Sequence, residues 1–230
     1  MLVVGNLGEM ELGLLEDLLS PLFRHVRFVG REDLDHRSTH SNADLLLLLG
    51  SDWSVYDQSV RESVSREIGL VREFASRGIP VLGICFGAQL ISRAFGGTIS
   101  RAEAPEIGWN EIFATQPNSV FGGSWMQWHY DSFSVPVGFE LLAQNEYGPQ
   151  VIRSGRVLGV QFHPEANELV VSKWMSGEGA AELDALGIAP SSLLDETRRG
   201  VNRTSVASRK LMDWFLEEVA QGPVAPSPSN

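Results

Sequence analysis

The feature that most constrains the fold is a pair of short apolar segments, residues 43–49 (ADLLLLL) and 79–84 (IPVLGI), separated by a long helical pattern. Apolar runs of this length fit strands that are buried on both faces, as in a parallel sheet. Between them, apolar side chains recur every three or four positions over residues 55–77, which predicts a surface helix, and Gly78 is a natural stop for it. A strand, a crossover helix and a second strand indicate an α/β sheet.

The other segments extend this alternation. Strands are expected at residues 2–5 and 23–29, helices at 9–22, 88–95 and 207–219, and irregular structure with some helix at 166–200. After Gly96, short strand-like segments separated by turn residues indicate a β-rich second half that extends the same sheet. We find no repeat and no interdomain linker, so we expect one domain over residues 1–220. A Pro- and Ser-rich tail at 221–230 is expected to be disordered.

Composition and charge limit the possible functions. The chain has 230 residues, with 18 Lys and Arg against 29 Asp and Glu, and its net charge is -11. Proteins that bind the phosphate backbone usually have the opposite sign, so no nucleic acid is expected as a partner. The single cysteine excludes an internal disulfide and a Cys-rich zinc site, and no spacing of histidines indicates a metal. The apolar runs are too short to span a membrane and the first residues lack a secretory signal, so we expect a cytoplasmic protein with a reduced thiol.

The segment GICFGAQ (residues 83–89) carries the sharpest indication of chemistry. It places Cys85 between an apolar strand and a helical pattern, which is the setting of a nucleophile elbow. Glycines at 83 and 87 let neighbouring backbone come close, and a thiol at the start of a helix faces the positive end of the helix dipole. A lone cysteine is more often a small buried side chain, but that interpretation leaves the two flanking glycines unexplained.

A second candidate group follows another expected strand. Residues 157–162 (VLGVQF) lead into His163, Pro164 and Glu165. Because residues i and i+2 of an extended chain point to the same side, His163 and Glu165 can share a face. A carboxylate that orients a histidine, which accepts a proton from a thiol, is the arrangement of a catalytic triad. The sequence leaves open whether the two side chains touch; a structural histidine and a solvated glutamate are the alternative.

Four ordered motifs resemble one family of proteins. They are GICFGAQ (83–89), EIGW (106–109), MQWHYDSFSVP (126–136) and VQFHPE (160–165). Together they resemble the class I, triad-type glutamine amidotransferases, and the third is similar to a segment of stand-alone members that resemble the glutaminase domain of GMP synthase. The resemblance implies an α/β fold of the flavodoxin-like, three-layer sandwich type, with a mostly parallel central sheet. It also implies hydrolysis of the γ-amide of glutamine or of a γ-glutamyl compound, with no cofactor.

The resemblance also assigns roles to individual residues. It implies that Cys85 is the nucleophile, His163 the general base and acid, and Glu165 the residue that orients His163. The oxyanion hole would be formed by the backbone N–H of Phe86, which follows the nucleophile, and by that of Ser51 in a loop after the third strand. The substrate-binding residues it implies are Gly50, Gln89, Trp128, His129 and Tyr130.

One loop departs from the family pattern. Residues 50–52 are Gly-Ser-Asp where the family usually has Gly-Gly-Pro, although the following residues 54–57 (SVYD) do match. Ser51 would have to present its N–H in a conformation that glycine adopts freely. The departure therefore predicts a flipped peptide, a rearranged pocket or lost activity.

Three functions remain open at this stage. The first is a Cys-His-Glu amidohydrolase that releases glutamate and ammonia from glutamine, for which a separate synthetase subunit is a possible partner. The second is a γ-glutamyl peptide or amine hydrolase that acts alone on a small-molecule substrate. The third is a non-catalytic regulatory subunit that keeps the fold, which the Ser51 departure motivates and the presence of all three triad residues opposes.

Overall fold

A nine-stranded sheet runs through the computed structural model, which describes residues 1–34 and 42–225. The strands are β1 (Leu2–Gly5), β2 (Arg27–Gly30), β3 (Leu46–Leu48), β4 (Val81–Ile84), β5 (Ile99–Ala114), β6 (Gly123–Phe133), β7 (Glu140–Asn145), β8 (Gly148–Ser154) and β9 (Val157–Val160). Their spatial order is β2-β1-β3-β4-β9-β8-β7-β5-β6. The five strands from β2 to β9 pair in parallel, and those from β9 to β6 pair antiparallel. The expected β-rich second half therefore does extend the parallel sheet.

Two hydrophobic clusters cover the two faces of the parallel strands. In β3, Leu46 and Leu48 face one cluster, whereas Leu47 faces the other, because successive side chains of a strand alternate between faces. Helices supply the outer layers. They are α1 (Glu16–Leu19), α2 (Arg61–Ser76), α3 (Phe86–Ala94), α4 (Glu168–Trp174), α5 (Glu178–Ala185) and α6 (Pro190–Trp214). With α2 and α3 on one face and α1 and α6 on the other, the chain forms the expected single α/β domain of three layers.

The last long helix begins earlier than the sequence indicates. We expected a helix at residues 207–219, but α6 starts at Pro190 and continues to Trp214, and the chain then forms one wider helical turn at Phe215–Val219. The side chains that α6 buries before residue 207 are mostly small and polar. They are Leu193, Thr197, Gly200 and Thr204. A search for apolar periodicity does not detect such a face. Pro190 in the first turn is a separate signal of a helix start, and it marks where α6 begins.

The segment after β1 also differs from the expectation. A helix was expected at residues 9–22, but only Glu16–Leu19 is α-helical, with one tighter turn on each side. Gly13 has φ +51°, which interrupts a helix, and Pro21 limits its continuation. The expected strand at 23–29 is likewise shorter, because β2 begins at Arg27.

The C-terminal segment packs at one end of the sheet up to the last described residue. Arg156 donates a hydrogen bond of 2.6 Å to the carbonyl of Gly222, and Ala225 is buried. Residues 226–230 lie outside the described part of the chain, and the disordered tail expected at 221–230 stays a prediction. Within residues 1–34 and 42–225, no helix combines the length and apolarity needed to cross a membrane.

Candidate active site

Cys85 occupies the sharp turn between β4 and α3. Its backbone has φ +52° and ψ -107°, a region that L residues rarely adopt, and its N–H is held by the carbonyl of Val160 at 2.8 Å. The flanking glycines permit this turn. A Cβ on Gly83 would lie 2.5 Å from the backbone of Gly87, and a Cβ on Gly87 would lie 2.4 Å from the carbonyl oxygen of Leu48. The strained backbone at the end of a strand is the geometry of a nucleophile elbow.

His163 and Glu165 are in direct contact. The Nδ1 atom of His163 lies 2.7 Å from Oε1 of Glu165, and both side chains are buried. A carboxylate at Nδ1 fixes a proton there, because the carboxylate can only accept. The other ring nitrogen, Nε2, has no hydrogen-bond partner of normal geometry in the described part of the chain.

Three separate elements hold the backbone of this His-Pro-Glu segment. The N–H of His163 donates to the carbonyl of Met126 in β6 at 2.9 Å, and the N–H of Leu14 donates to the carbonyl of Glu165 at 2.9 Å. The hydroxyl of Ser208 on α6 donates to the carbonyl of Pro164 at 2.7 Å. The imidazole is therefore positioned by a strand, a helix and the turn after β1.

Cys85, His163 and Gly50 converge at one point. A Cβ placed on Gly50 would lie 3.1 Å from Cε1 of His163 and 3.7 Å from Cβ of Cys85, so the loop after β3 lies directly against both side chains. Burial by itself lowers the pKa of His163, but the Glu165 carboxylate and the neighbouring Cys85 outweigh it and raise the pKa to about 10. Because this pKa lies well above 7, the imidazole stays protonated at neutral pH.

The loop after β3 keeps an ordinary backbone at Ser51. Among the described residues, only Cys85 and Asn118 are non-glycine residues with positive φ, so Ser51 does not need the conformational freedom of glycine. Its hydroxyl accepts a hydrogen bond of 3.1 Å from the N–H of Trp53. Phe86 is the first residue of α3, where a backbone N–H has no intrahelical acceptor. The N–H groups of both predicted oxyanion residues thus belong to backbone beside Cys85.

Trp128 and Tyr130 lie on the same face of β6. The carbonyl of Trp128 is 3.8 Å from Sγ of Cys85, which places this backbone at the thiol. The indole N–H of Trp128 donates to Glu182 on α5 at 2.7 Å. The ring of Tyr130 is covered by the guanidinium of Arg101 at 4.3 Å, and burial together with the nearby Glu182 raises its pKa.

His129 points to the opposite face of β6, as the pleat requires. Its Nε2 lies 2.9 Å from Glu106 and its Nδ1 lies 3.0 Å from the carbonyl of Asp131, so both ring nitrogens have partners inside the sheet. Gln150 also donates to Glu106, at 3.0 Å. The side chain of His129 is thus part of a buried polar network on the face of β6 opposite to Trp128. No group of three or more His, Cys, Asp or Glu residues within 1–34 and 42–225 is arranged to hold a metal ion.

Gln89 is buried at the second turn of α3. Its amide nitrogen lies 3.3 Å from Oε1 of Gln161 and 3.5 Å from the carbonyl of Asp131. It therefore connects α3 to β6 and to the residues that lead into His163.

Asp131 connects the loop after β3 to β6. It accepts hydrogen bonds from the hydroxyls of Ser54, at 2.6 Å, and Tyr56, at 2.8 Å. The Ser-Val-Tyr-Asp match at 54–57 thus has a structural basis, because two of its hydroxyls attach the loop to the strand that carries Trp128.

The sequence did not indicate two residues that contact His163 and Trp128. The ring of Trp174, at the end of α4, lies 4.5 Å from the ring of His163 and 6.1 Å from that of Trp128. The second is Glu182 on α5, the acceptor of the Trp128 indole N–H. The only signal in the sequence was that Trp174 is an aromatic residue within residues 166–200, where apolar residues show no regular spacing. Such a signal does not predict contact with His163.

Comparison with solved structures supports the fold. A glutamine amidotransferase from Thermotoga maritima superposes with a TM-score of 0.82 over 94% of this chain and 97% of that one, at 24% sequence identity. At this identity the likeness concerns the fold alone.

Curated relatives match over part of the sequence. The GMP synthase [glutamine-hydrolyzing] of Gloeobacter violaceus is 42% identical over 98 residues, which are 38% of this chain and 18% of that protein. One subunit of the GMP synthase [glutamine-hydrolyzing] of Methanococcus maripaludis is 42% identical over 99 residues, which are 39% of this chain and 52% of that protein. The chain thus covers at most about half the length of these relatives. The family model described as glutamine amidotransferase class-I matches residues 22–170. The chain therefore belongs to the class I glutamine amidotransferase family.

Proposed function

We propose that this chain is an amidohydrolase that converts glutamine to glutamate and ammonia through a γ-glutamyl thioester on Cys85. The observation that carries the proposal is the contact between Nδ1 of His163 and Glu165 at 2.7 Å, with Nε2 left for the thiol. The backbone strain at Cys85 supports it, since strained residues cluster at active sites. Membership of the family supports the same reaction class.

In the first half of the proposed reaction, the thiolate of Cys85 attacks the γ-carbonyl carbon of glutamine. The electron pair of the carbonyl moves to oxygen, where the N–H groups of Ser51 and Phe86 stabilise it; each such donor contributes about 10²–10³ in rate. When the tetrahedral intermediate collapses, the C–N bond breaks and the imidazolium of His163 gives its proton to the departing nitrogen. Ammonia leaves and the thioester remains.

In the second half, His163 acts as a base. It accepts a proton from water as the water oxygen attacks the thioester carbon, and the C–S bond then breaks. Glutamate is released and the pair of thiolate and imidazolium is restored. Throughout the cycle Glu165 keeps the proton on Nδ1 and compensates the charge of the imidazolium.

The proposal is tested by incubating the purified chain with glutamine and measuring glutamate and ammonia. We expect equal amounts of both from the wild type and none above background from Cys85→Ala. A variant at the fully exposed residue Val137 serves as the control. Equal turnover by wild type and Cys85→Ala would refute the proposal, and inactivity of the wild type toward all γ-glutamyl compounds would favour a non-catalytic regulatory subunit.

A second candidate, a γ-glutamyl peptide or amine hydrolase that acts alone, is supported by two side chains that form a wall beside His163 and Trp128. Trp174 and Glu182 lie beyond the region matched by the family model, yet they contact His163 and Trp128. Such a wall can bind a leaving group larger than ammonia. We expect a comparison of kcat/KM for glutamine and for γ-glutamyl peptides to distinguish the two candidate functions. If the peptide is preferred, Trp174→Ala should reduce that preference.

Delivery of the ammonia to a separate synthetase subunit is a further part of the proposal. One of the relatives is a single subunit of a GMP synthase, which supports a division of the two activities between chains. We expect glutaminase activity to increase when this chain is mixed with such a synthetase chain, whereas a stand-alone hydrolase would show no change.

A further inference from the structure

Arg31 is a fully buried arginine that the proposed reaction does not use. It lies in the turn that follows β2 and has 0% exposure. Burying a guanidinium is unfavourable unless its charge and donors find partners, so each of its contacts is informative. Apart from its ionic partner Glu67 on α2, they lie around the loop after β3 and the first residue of α3.

The guanidinium of Arg31 binds two consecutive carbonyls of the loop after β3. Its Nη2 donates to the carbonyl of Leu49 and to that of Gly50, both at 3.1 Å. The second contact fixes the orientation of the peptide between Gly50 and Ser51. All described peptides are trans, and in a trans peptide the C=O and the N–H point in opposite directions. The N–H of Ser51 is therefore directed away from Arg31.

The opposite side of this loop is the candidate active site. The Cα of Gly50 faces His163 and Cys85, since a Cβ there would lie 3.1 Å from the imidazole. Because its carbonyl points toward Arg31, the Gly50–Ser51 peptide can present only the N–H of Ser51 to the side of the loop that faces Cys85 and His163. An unclamped peptide could rotate and present its carbonyl to a developing oxyanion, which would be repulsive.

Arg31 is itself held from three directions. Its guanidinium lies over the ring of Phe86 at 4.5 Å and near that of Trp53 at 5.8 Å. Glu67 on α2, also fully buried, is its ionic partner at 3.7 Å. Since Phe86 carries the other oxyanion donor, one side chain touches both parts of the proposed oxyanion hole. A planar guanidinium can stack on a ring and bond carbonyls at its edge at the same time, which lysine cannot do.

We infer that Arg31 is a positioning residue that holds the Gly50–Ser51 peptide with its N–H toward the oxyanion, in place of the glycine-rich loop sequence usual in the family. The inference rests on the proposed function, because it assigns Arg31 a role only in a reaction that develops an oxyanion. It explains how a loop with Ser at position 51 can serve the same purpose.

The test compares acylation with alkylation in Arg31→Met. Hydrolysis of glutamine and of γ-glutamyl-p-nitroanilide requires the oxyanion hole, whereas alkylation of Cys85 by iodoacetamide does not. We expect kcat for both substrates to fall by about 10²-fold, with KM changed less than about threefold and the alkylation rate within about twofold of wild type. Parallel loss of kcat and alkylation, or an unchanged kcat, would overturn the inference.

The matched control is Arg156→Met. Arg156 also donates to two backbone carbonyls, those of Gly222 at 2.6 Å and Gly78 at 2.8 Å, but it precedes β9 whereas His163 follows it. We expect Arg156→Met to destabilise the protein in urea without slowing acylation. If Arg31→Met does not fold, Arg31→Lys replaces it, with an expected loss in kcat of about tenfold and normal alkylation. A wild type inactive on both substrates overturns the proposed function along with this inference, whereas an active wild type with fully active Arg31 variants overturns this inference alone.

Discussion

The imidazole of His163 has the carboxylate of Glu165 at 2.7 Å from Nδ1, and it shares with Cys85 the space next to Gly50. His163 and Glu165 are neighbours along the chain with one proline between them, whereas Cys85 arrives from a different strand. This arrangement fixes a proton on Nδ1 and leaves Nε2 without a hydrogen-bond partner among the described residues.

Glu165→Gln should slow the reaction and lower the pKa of His163. The amide cannot compensate the charge of the imidazolium, so the pKa should fall from about 10 and the proton should be lost at a lower pH. We expect kcat to fall by about 10²–10⁴-fold, and an NMR titration of the ring should move to lower pH. The control is Glu168→Gln, since that carboxylate binds Arg198 at the surface. An unchanged titration with full activity would contradict the assigned role of Glu165.

Glycine should be tolerated better than alanine at position 85. The backbone there has φ +52°, which costs an L residue about 1–3 kcal/mol, while glycine adopts it without steric strain. We expect Cys85→Gly to be more stable than Cys85→Ala, with a free energy of unfolding in urea that is higher by about 1 kcal/mol. At Ala88, within α3, the order should reverse, and Ala88→Gly should lose about 1 kcal/mol. If glycine were less stable than alanine by the same amount at positions 85 and 88, the result would argue against strain in the backbone of Cys85.

Gly13→Ala should displace the His-Pro-Glu segment. A Cβ at this position would lie 2.0 Å from the carbonyl oxygen of Glu165, so either the turn or Glu165 must move. Gly8 also has positive φ, +85°, but nothing lies within 4 Å of its Cβ position, which makes Gly8→Ala the control for backbone strain alone. We expect Gly13→Ala to lose about 2 kcal/mol more stability than Gly8→Ala and to reduce kcat. Equal effects of the two substitutions would exclude a steric role for Gly13.

Glu67 should make stability depend on pH. Burial raises its pKa to about 7; Arg31 opposes this shift, and Glu32 adds to it. The unfolded chain then loses this proton near the ordinary value of 4.5, before the folded protein does, so the contribution of Glu67 to stability declines as the pH rises from 4.5 to 7. We expect the free energy of unfolding of wild type relative to Glu67→Gln to decrease over that interval, in urea titrations. A difference that stays constant or increases would contradict the raised pKa.

The elbow and the His-Pro-Glu segment could be predicted because their signals are local. Gly83 and Gly87 are required by close backbone approach within one turn, and such a requirement is visible as residue type at fixed spacing. The buried parallel strands β1, β3, β4 and β9 were equally clear, since strands buried on both faces have continuous apolar sequences.

Features that depend on distant contacts could not be predicted. Arg31 stands in a polar stretch of the sequence without apolar periodicity, and its burial arises because Glu67 and two loop carbonyls converge on it. The early turns of α6 bury small polar residues such as Thr197 and Thr204, so no apolar stripe marks them. The position of Trp174 against His163 likewise follows from how α4 packs, which a single sequence does not specify.

The most direct test of the central claim is mass spectrometry of the protein quenched with acid during turnover of glutamine. If Cys85, activated by His163 and Glu165, forms a thioester, the peptide that contains Cys85 should carry one glutamyl group, and hydroxylamine should remove it. Cys85→Ala should carry none, and Glu165→Gln should accumulate it more slowly. Turnover of glutamine without any adduct on Cys85, or with the adduct on another residue, would contradict the account.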